Sequence, residues 1–265
     1  MSDRLKGKVV FVTGAGSIGP GWGNGKAAAV QFAREGGKVF ITDKNPDALE
    51  ETKKIILDEN NIVQSIPCDV THAQSVKETV KKCMDSFGRI DVLHNNVGII
   101  DPGGPEDLSE DQWDNLMKTN IKSMYLTCRH ILPIMTKQGK GSIINISSIA
   151  STHSLGYSCI SYSASKGAVN SFTRDIALNY GPKGIRCNSI LPGLMNTPLI
   201  HSGNVTEVYG STEEMVRQRD SLIPLGKMGD GFDVAHAAVF LASDESKHIT
   251  GIELVIDGGI TLKVK

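Results

Sequence analysis

Short apolar runs alternate along this chain with longer segments in which apolar residues recur at helical spacing. The short runs have the length and composition of strands. They cover residues 9–13, 39–42, 63–66, 92–94, 142–146, 186–191 and 252–256. The helices predicted between them cover residues 26–34, 46–59, 75–87, 110–135 and 163–180. Because strands and helices alternate, the pattern predicts a parallel sheet that is covered by helices on both faces.

The whole chain, 1–265, is predicted to form one domain. Its 265 residues suit a single α/β unit with a large core, and no repeat or linker divides it. The expected fold is therefore α/β, a single-domain Rossmann-type fold with a doubly wound, parallel, seven-stranded sheet. The segment 196–222 departs from the pattern, since it starts as an irregular, polar stretch. We expect this loop and the helical stretch that follows it to cover a binding site.

Composition and charge argue against several classes of partner. The formal net charge is −1 and charged residues make up 22% of the chain, so no basic field predicts binding to nucleic acid or to an anionic membrane. No stretch approaches the ~20 apolar residues of a membrane span. The amino-terminal segment lacks the apolar core of a signal peptide. We therefore expect a cytoplasmic, unprocessed protein whose partner is a small molecule.

Cysteine and histidine residues are scattered. The five cysteines include no Cys-x-x-Cys pair and the seven histidines include no His-x-x-x-His pair. This spacing predicts neither a disulfide framework nor a metal site, and it fits a reducing compartment.

A glycine-rich turn follows the first predicted strand. It begins at Gly14 and Ser17 and reaches Gly23, Asn24 and Gly25, where the first helix starts. Glycines let the backbone approach a pyrophosphate closely, and the free N–H groups at a helix start attract its charge. The turn therefore predicts nucleotide binding, although such a turn alone is weak evidence.

An acidic residue, Asp43, ends the second predicted strand. A carboxylate at this position can accept hydrogen bonds from the adenosine ribose hydroxyls and would repel a 2′-phosphate. NAD is therefore the predicted cofactor, in preference to NADP. Lys44 follows directly and opposes this preference, because a cation there can reach a phosphate.

A phenol and an ammonium, Tyr162 and Lys166, lie four positions apart and therefore share one face of a predicted helix. Ser147 and Ser148 end the fifth strand, at the edge where parallel sheets bind ligands. A phenol with a pKa near 10 is a poor base at neutral pH. The Lys166 ammonium and a cationic nicotinamide ring would both favour its phenolate form. Tyr162 is thus predicted to exchange the proton of an alcohol.

With these motifs in this order, the sequence resembles the short-chain dehydrogenase/reductase family over essentially its full length. Further motifs carry the resemblance: Asp69 with Val70, Asn95 to Gly98, Asn120, Asn145 to Ser148, Pro192 and Gly193 with Thr197, Thr250 with Gly251, and Asp257 to Gly259. The resemblance implies hydride transfer between a nicotinamide and a secondary alcohol or ketone. It also implies a homotetramer in which helices 110–135 and 163–180 pack across a two-fold axis.

The resemblance further implies roles for individual residues. In catalysis, Ser148 would hold the substrate oxygen, Lys166 would also bind the nicotinamide ribose, and Asn120 would support a water that leads protons to solvent. At the cofactor, Asp69 and Val70 would contact the adenine. Asn96 would steady the sheet behind the cofactor, by backbone support or by ligand contact. The nicotinamide end would be bordered by Pro192, Gly193, Met195 and Thr197.

The chain departs from the family pattern in three ways. Its glycine turn is extended by the apparent insertion 18–22, in which Trp22 either covers the pyrophosphate or packs beneath the turn. Val97 stands where alanine is usual, a small change in volume. The spacing from Ser148 to Tyr162 is slightly longer than is common, which makes Ser147 a rival for the catalytic serine.

Two other functions stay open at this stage. An enoyl reductase of the same family also carries an extended glycine turn, but it separates its tyrosine and lysine by more than the four positions between Tyr162 and Lys166. A regulator that senses NADH without turnover is the second alternative, since a fold alone does not establish catalysis. The substrate would be set by segments 101–106, 151–161 and 196–222. Within or near them, four residues suggest a moderately apolar pocket: His153, Leu155, Tyr157 and Met195.

Overall fold

The computed structural model describes residues 3–201, 206 and 208–263. Its strands are β1 (Val9–Thr13), β2 (Lys38–Thr42), β3 (Val63–Ser65), β4 (Val92–Asn95), β5 (Gly141–Ile146), β6 (Ile185–Pro192) and β7 (Glu253–Ile256). They form one seven-stranded sheet in the order β3-β2-β1-β4-β5-β6-β7, and every pair is parallel. The predicted fold class is confirmed. The strand order reverses between β1 and β4, the kind of position where open parallel sheets bind ligands.

The helices lie on both faces of this sheet. They are α1 (Asn24–Arg34), α2 (Pro46–Asp58), α3 (Ala73–Phe87), α4 (Glu110–Met117), α5 (Ser123–Gln138), α6 (Ile160–Tyr180), α7 (Pro198–His201), α8 (Thr212–Leu222) and α9 (Gly231–Ala242). Local sequence sets several of their ends. Asn45 accepts backbone hydrogen bonds at the start of α2, and Ser109 forms a capping box with Gln112 at the start of α4.

Alternate residues of each central strand enter two separate apolar cores, as the period of a strand requires. In β1, Val10 and Val12 pack with α1, α2 and α9. Val9 and Phe11 face the other way and pack with α3, α5 and α6. Both sets are fully buried, which explains why this strand reads as a continuous apolar run.

The predicted helix 110–135 is wrong as a single α-helix. It consists of α4 and α5 joined by a π-helical turn, Lys118–Lys122, and it continues to Gln138. Inside this turn the Asn120 side chain bonds both backbone groups of Ile99, which lies beyond the end of β4. Side-chain periodicity alone did not reveal this interruption, because the turn keeps the helical direction.

The segment between β6 and β7 forms a smaller apolar cluster beside the sheet edge. Leu194, Ile200, Met215, Ile223 and Met228 are buried in it. The helical stretch predicted in the second part of the segment 196–222 corresponds to α8. Positions 202–205 and 207 of the predicted covering segment 196–222 lie outside the described residues.

The described ranges contain neither a membrane-spanning helix nor a cluster of metal-ligating side chains. None of their helices is long and apolar enough to cross a membrane. Within the same ranges, no group of three or more histidine, cysteine, aspartate or glutamate residues could hold a metal ion. The five cysteines are free, and each is buried.

Candidate active site

A cleft of about 480 Å³ opens at the carboxyl ends of β1, β4, β5 and β6. The residues predicted to bind the cofactor all line it: Gly14, Ser17, Gly23, Asn24, Gly25, Asp43, Asp69, Val70, Asn96, Tyr162, Lys166, Pro192, Gly193, Met195 and Thr197. Ser148 lines the same cleft, whereas Asn120 does not. The topology therefore brings residues that are distant in sequence to one cavity.

The glycine turn leaves no room for side chains where α1 approaches it. Gly14 has a φ of +64°, in the left-handed region, and a Cβ on Gly25 would lie 1.9 Å from the Gly14 carbonyl oxygen. Helix α1 has no side-chain cap at Gly23, and the buried Asn24 Oδ1 has no hydrogen-bond partner within the described ranges. Uncapped N–H groups and a close-packed glycine turn fit the pyrophosphate of a dinucleotide.

Asp43 is held by backbone N–H groups at one end of the cleft. Its Oδ2 accepts from the Gly16 N–H at 3.0 Å and its Oδ1 from the Asn45 N–H at 2.9 Å. The carboxylate is half-buried, and Lys44 beside it is exposed. Each carboxylate oxygen keeps a further lone pair, so the group can still accept hydrogen bonds from ribose hydroxyls.

Asp69 lies next to this end, on the loop after β3. Its Oδ1 accepts hydrogen bonds from the N–H and the hydroxyl of Thr71, and its Oδ2 lies 3.0 Å from His72 Nδ1. Burial raises the pKa of Asp69, but the bonds from Thr71 and the nearby His72 together lower it below its usual value. The residue is therefore a fixed anion at the end of the cleft that is predicted to hold adenosine.

Asn96 connects the end of β4 to the glycine turn. Its Nδ2 donates to the Gly14 carbonyl at 2.9 Å, and its N–H donates to Thr13 Oγ1 at 3.1 Å. These bonds favour backbone support as its role. Behind it, a buried network that the sequence analysis missed joins β4 to β5, since Asn95 donates to Asn145 at 2.9 Å.

Ser148, Tyr162 and Lys166 converge at the carboxyl end of β5. Lys166 Nζ donates to the Ile146 carbonyl at 2.8 Å and lies 5.5 Å from the centre of the Tyr162 ring. The Tyr162 phenol interacts with the Ser148 hydroxyl. Ser147 instead donates its hydroxyl to the Lys166 carbonyl at 3.0 Å, which engages it with α6. The arrangement therefore favours Ser148 over its rival as the serine that meets substrate.

Burial dominates the proton affinities of this triad. It raises the pKa of Tyr162 to about 12, although the hydrogen bond with Ser148 acts in the opposite direction. Burial also lowers the pKa of Lys166 to about 8. Burial therefore opposes the phenolate form that Lys166 and a cationic nicotinamide are expected to favour, because desolvation penalises the charged form of each side chain.

Asn120 is buried behind α6. Its Nδ2 donates to the Ile99 carbonyl at 2.9 Å and to Ser165 Oγ at 3.1 Å, while its Oδ1 accepts from the Ile99 N–H. Ser165 in turn donates to the Tyr162 carbonyl at 2.7 Å. The side chain therefore ties the π-helical turn to the backbone of Tyr162.

The insertion 18–22 divides into two parts. Ile18 lines the cleft and is 64% exposed. Trp22 does not line the cleft. Its ring lies 4.9 Å from that of Phe232 and 5.1 Å from Lys26 Nζ, and it packs against the core that α1 shares with α9. Trp22 therefore packs as part of the core and does not cover the cleft. Ile18 is the residue of the insertion that is positioned to cover a ligand.

The cleft is also lined by a buried cation that was not singled out from the sequence. Arg219, on α8, lines the cleft and is only 3% exposed. No sequence signal identifies it, because an arginine in a strongly charged helix normally lies on the solvated face. Leu155, Tyr157 and Met195 line the cleft as expected, whereas His153 is exposed outside it.

Comparison with known proteins gives one consistent pattern. A family model described as enoyl-(acyl carrier protein) reductase matches residues 19–261. The 2,5-dichloro-2,5-cyclohexadiene-1,4-diol dehydrogenase LinX of Sphingobium indicum is 39% identical over 264 residues, with 100% of both chains covered. Dehydrogenase/reductase SDR family member 6 of Danio rerio is 37% identical, and the match covers 97% of this chain and 98% of that protein.

Solved structures agree with these relatives. A short-chain type dehydrogenase/reductase from Mycobacterium marinum superposes with a TM-score of 0.89 at 28% identity, and the match covers 98% of each chain. Carveol dehydrogenase from Mycobacterium avium, solved in complex with NAD, gives a TM-score of 0.92 at 26% identity, covering 98% of this chain and 99% of that one. The similarity extends over the whole sheet and its helices.

Proposed function

Because this chain belongs to the short-chain dehydrogenase/reductase family, we propose that it is an NAD(H)-dependent enzyme that interconverts a secondary alcohol and a ketone. That it is an oxidoreductase of this family follows from the comparisons. The observation that carries the finer proposal is the convergence of Ser148, Tyr162 and Lys166 in the cleft that the glycine turn also lines.

The cofactor would lie along this cleft. The glycine turn and the start of α1 would hold its pyrophosphate, Asp43 its adenosine ribose, and Asp69 with Val70 its adenine. Lys166 would bind the nicotinamide ribose. The border of the nicotinamide end would be formed by Pro192, Gly193, Met195 and Thr197. When bound, the nicotinamide carries the hydride, and the positive charge of its oxidised form favours phenolate.

Tyr162 carries the proton in this proposal. With a pKa raised to about 12 by burial, its phenol is protonated at neutral pH, which is the form that gives a proton to a ketone oxygen. In the oxidation direction the phenolate takes the proton of the substrate hydroxyl, and the carbon that bears this hydroxyl gives its hydride to the nicotinamide. The alcohol thereby loses two electrons and becomes a ketone. Ser148 donates a hydrogen bond to the substrate oxygen, and the Lys166 ammonium stabilises the phenolate.

NAD is proposed in preference to NADP because Asp43 places a carboxylate where a 2′-phosphate would have to lie. Its two backbone hydrogen bonds fix that carboxylate at the rim of the cleft. A structural neighbour was solved with NAD, which supports the same choice. The exposed Lys44 beside it is the feature that opposes this preference.

Enoyl reduction is the second candidate function. The description of the matching family model and the extended glycine turn favour it. The spacing between Tyr162 and Lys166, one turn of α6, favours the carbonyl reaction instead. A regulator that binds NADH without turnover is a weaker alternative, because the hydroxyl, phenol and ammonium that the reaction needs all line the cleft.

We also propose that the protein is a cytoplasmic homotetramer. The helices expected at its two-fold interface carry large exposed apolar side chains: Trp113 on α4, Tyr125 on α5 and Leu178 on α6. An interface would remove them from water. The five buried free thiols fit a reducing compartment. Light scattering at micromolar concentration tests the assembly, and a stable monomer would contradict it.

The central experiment follows NADH fluorescence across a panel of secondary alcohols, from cyclic diols to hydroxy acids. Tyr162→Phe should lower turnover about a hundredfold or more, as expected for the loss of a general acid/base, with little change in NADH affinity. The matched control is Tyr180→Phe, at the far end of α6, which should keep its turnover. If Tyr162→Phe kept most of the rate with hydride transfer rate-limiting, the proposed mechanism would be wrong.

A further inference from the structure

Arg219 occupies the buried face of an otherwise charged helix. In α8 the two buried residues are Met215 and Arg219, four positions apart and so on one face. Met215 enters the apolar cluster that also buries Leu194, Ile200 and Met228. The Arg219 guanidinium therefore lies at the wall of the cleft, on the same face of α8 that packs into the apolar cluster.

Among the described residues, the charge of Arg219 has little compensation. Within the ranges 3–201, 206 and 208–263, no carboxylate forms an ion pair with it, and its buried Nε has no hydrogen-bond partner. The ring of Tyr209 lies 5.4 Å from its Cζ, a cation–π contact that offsets part of the desolvation. An arginine stays protonated, so burying it without an anion is costly.

The cation lies at the substrate end of the cleft. Its charge acts on the phenol of Tyr157, a cleft residue whose pKa burial raises to about 12 and Arg219 partly lowers. Tyr157 also interacts electrostatically with Tyr162. Arg219 and the proposed acid/base therefore both lie near Tyr157, in the same cleft.

We propose that Arg219 binds a carboxylate of the substrate, so that the enzyme acts on hydroxy acids and the corresponding oxo acids. This inference rests on the proposed function. A single guanidinium among apolar residues such as Leu155 and Ile200 matches one negative charge and an apolar linker. A carboxylate accepts the paired N–H groups of arginine in plane, which supplies the partner that Nε lacks. The neutral diol in the name of LinX would leave this charge unpaired.

The test compares each acid with its own methyl ester. Lactate, 3-hydroxybutanoate, mandelate and 3-hydroxycyclohexanecarboxylate are assayed with NAD beside their methyl esters, which keep the secondary alcohol and lose the charge. For the best pair, kcat/KM should favour the acid by about a hundredfold, the scale of a buried charge pair. Equal kcat/KM for acid and ester across the panel would overturn the proposal.

Substitutions assign the preference to the guanidinium. Arg219→Gln should bring the acid-to-ester ratio close to one by lowering kcat/KM for the acid alone, whereas Arg219→Lys should keep part of the ratio. An equal loss for acid and ester in Arg219→Gln would mean a purely structural role and would overturn the inference.

Binding gives a readout that does not depend on turnover. Cyclohexanecarboxylate should raise the melting temperature of the NADH-loaded protein more than cyclohexanecarboxamide does, and Arg219→Gln should remove that difference. Glu207, which is outside the described residues, precedes Tyr209 closely in the chain. If Glu207→Gln created an acid preference that the unmodified protein lacks, Arg219 would be paired with that carboxylate and the proposal would fail.

The outcomes separate this inference from the proposed function. If the enzyme turns over the methyl esters or neutral diols, and Tyr162→Phe abolishes that turnover, the general reaction is supported whatever the role of Arg219. Turnover of neutral substrates without any preference for an acid overturns the carboxylate site and leaves the general reaction standing.

Discussion

The two ends of the cleft differ in how deeply their ionisable side chains are buried and in what stabilises them. At the adenosine end, Asp43 and Asp69 are only partly buried, and hydrogen bonds from nearby N–H and hydroxyl groups hold them in place. At the end proposed to be catalytic, Lys166 and Arg219 are buried and Tyr162 is partly buried, and burial acts against the charged forms of Lys166 and Tyr162. One end holds fixed anions near water, where the proposed cofactor would meet them, and the other changes the proton affinity of its side chains.

The difference follows from what each end is made of. Glycines and the start of α1 contribute backbone groups at the adenosine end, so its carboxylates find donors without large side chains. The catalytic end is formed by the end of β5 and by α6, whose side chains meet inside the fold. Substitutions at the two ends should therefore produce different kinds of effect.

The largest expected effect is on stability at the catalytic end. Burial lowers the pKa of Lys166 from 10.5 to about 8, so between these pH values the unfolded chain holds a proton that the folded protein has lost. Stability should therefore rise with pH across this window. Relative to Lys166→Met, the unmodified protein should gain up to about 3 kcal/mol in its free energy of unfolding from pH 8 to pH 10.5.

Urea unfolding of both proteins at several pH values measures this gain. Because every other group is shared, the difference between the two curves isolates Lys166. Parallel curves over the whole window would show that the ammonium is not desolvated, and the contrast between the two ends would be lost.

At the adenosine end the expected effect is steric. Gly25→Ala would place a Cβ 1.9 Å from the Gly14 carbonyl oxygen, so the turn or the helix must move. We expect a loss of about 2 kcal/mol in stability, typical of overpacking, together with weaker NADH binding. Gly181→Ala is the control, since no heavy atom lies within 4 Å of its Cβ position. A Gly25→Ala protein with unchanged melting temperature and NADH affinity would contradict this account.

A substitution of Asp43 tests whether this fixed carboxylate determines the choice between NAD and NADP. Asp43→Ala should leave turnover at saturating cofactor nearly unchanged and should reduce the preference for NAD over NADP by about tenfold, near 1.4 kcal/mol. Paired kcat/KM titrations with the two cofactors measure it. An unmodified enzyme that used NADP as well as NAD would show that Asp43 does not exclude the 2′-phosphate.

The smallest effect concerns the glycine-turn insertion. Trp22→Ala removes a contact with Phe232 and should lower stability by about 1 kcal/mol, the scale of an aromatic pair, with little change in NADH affinity. Ile18→Ala should instead weaken NADH binding with little change in stability, because Ile18 lines the cleft and is exposed. Calorimetry with and without NADH distinguishes the two patterns.

Sequence patterns predicted the sheet and much of the candidate site, because these depend on local order along the chain. The seven runs of apolar residues predicted the strands, and the rule that parallel strands share an edge placed Ser148 near the glycine turn. The side of α1 on which Trp22 packs was not predictable, since it depends on Phe232 in a helix more than 200 residues away. The burial of Arg219 likewise depends on how α8 lies against the sheet.

The pKa values of Tyr162 and Lys166 also could not be predicted from the sequence. The approach of Lys166 to Tyr162 follows from their spacing, and the pattern predicted it. The depth at which both are buried decides the direction of their pKa values, and depth depends on the packing of α6 against β5 and on the segment after β6. A motif therefore identified the groups without giving their charge states.

The π-helical turn at Lys118–Lys122 limits how this chain can change during evolution. It holds one residue more than an α-helical turn needs, and each residue of a helix rotates its neighbours by about 100°. Deleting a single residue there would leave a regular helix of good propensity. It would also turn all of α4 to a new face relative to α5 and withdraw Asn120 from Ile99 and Ser165. Substitutions along α4 should thus be tolerated far more often than single-residue deletions in this turn.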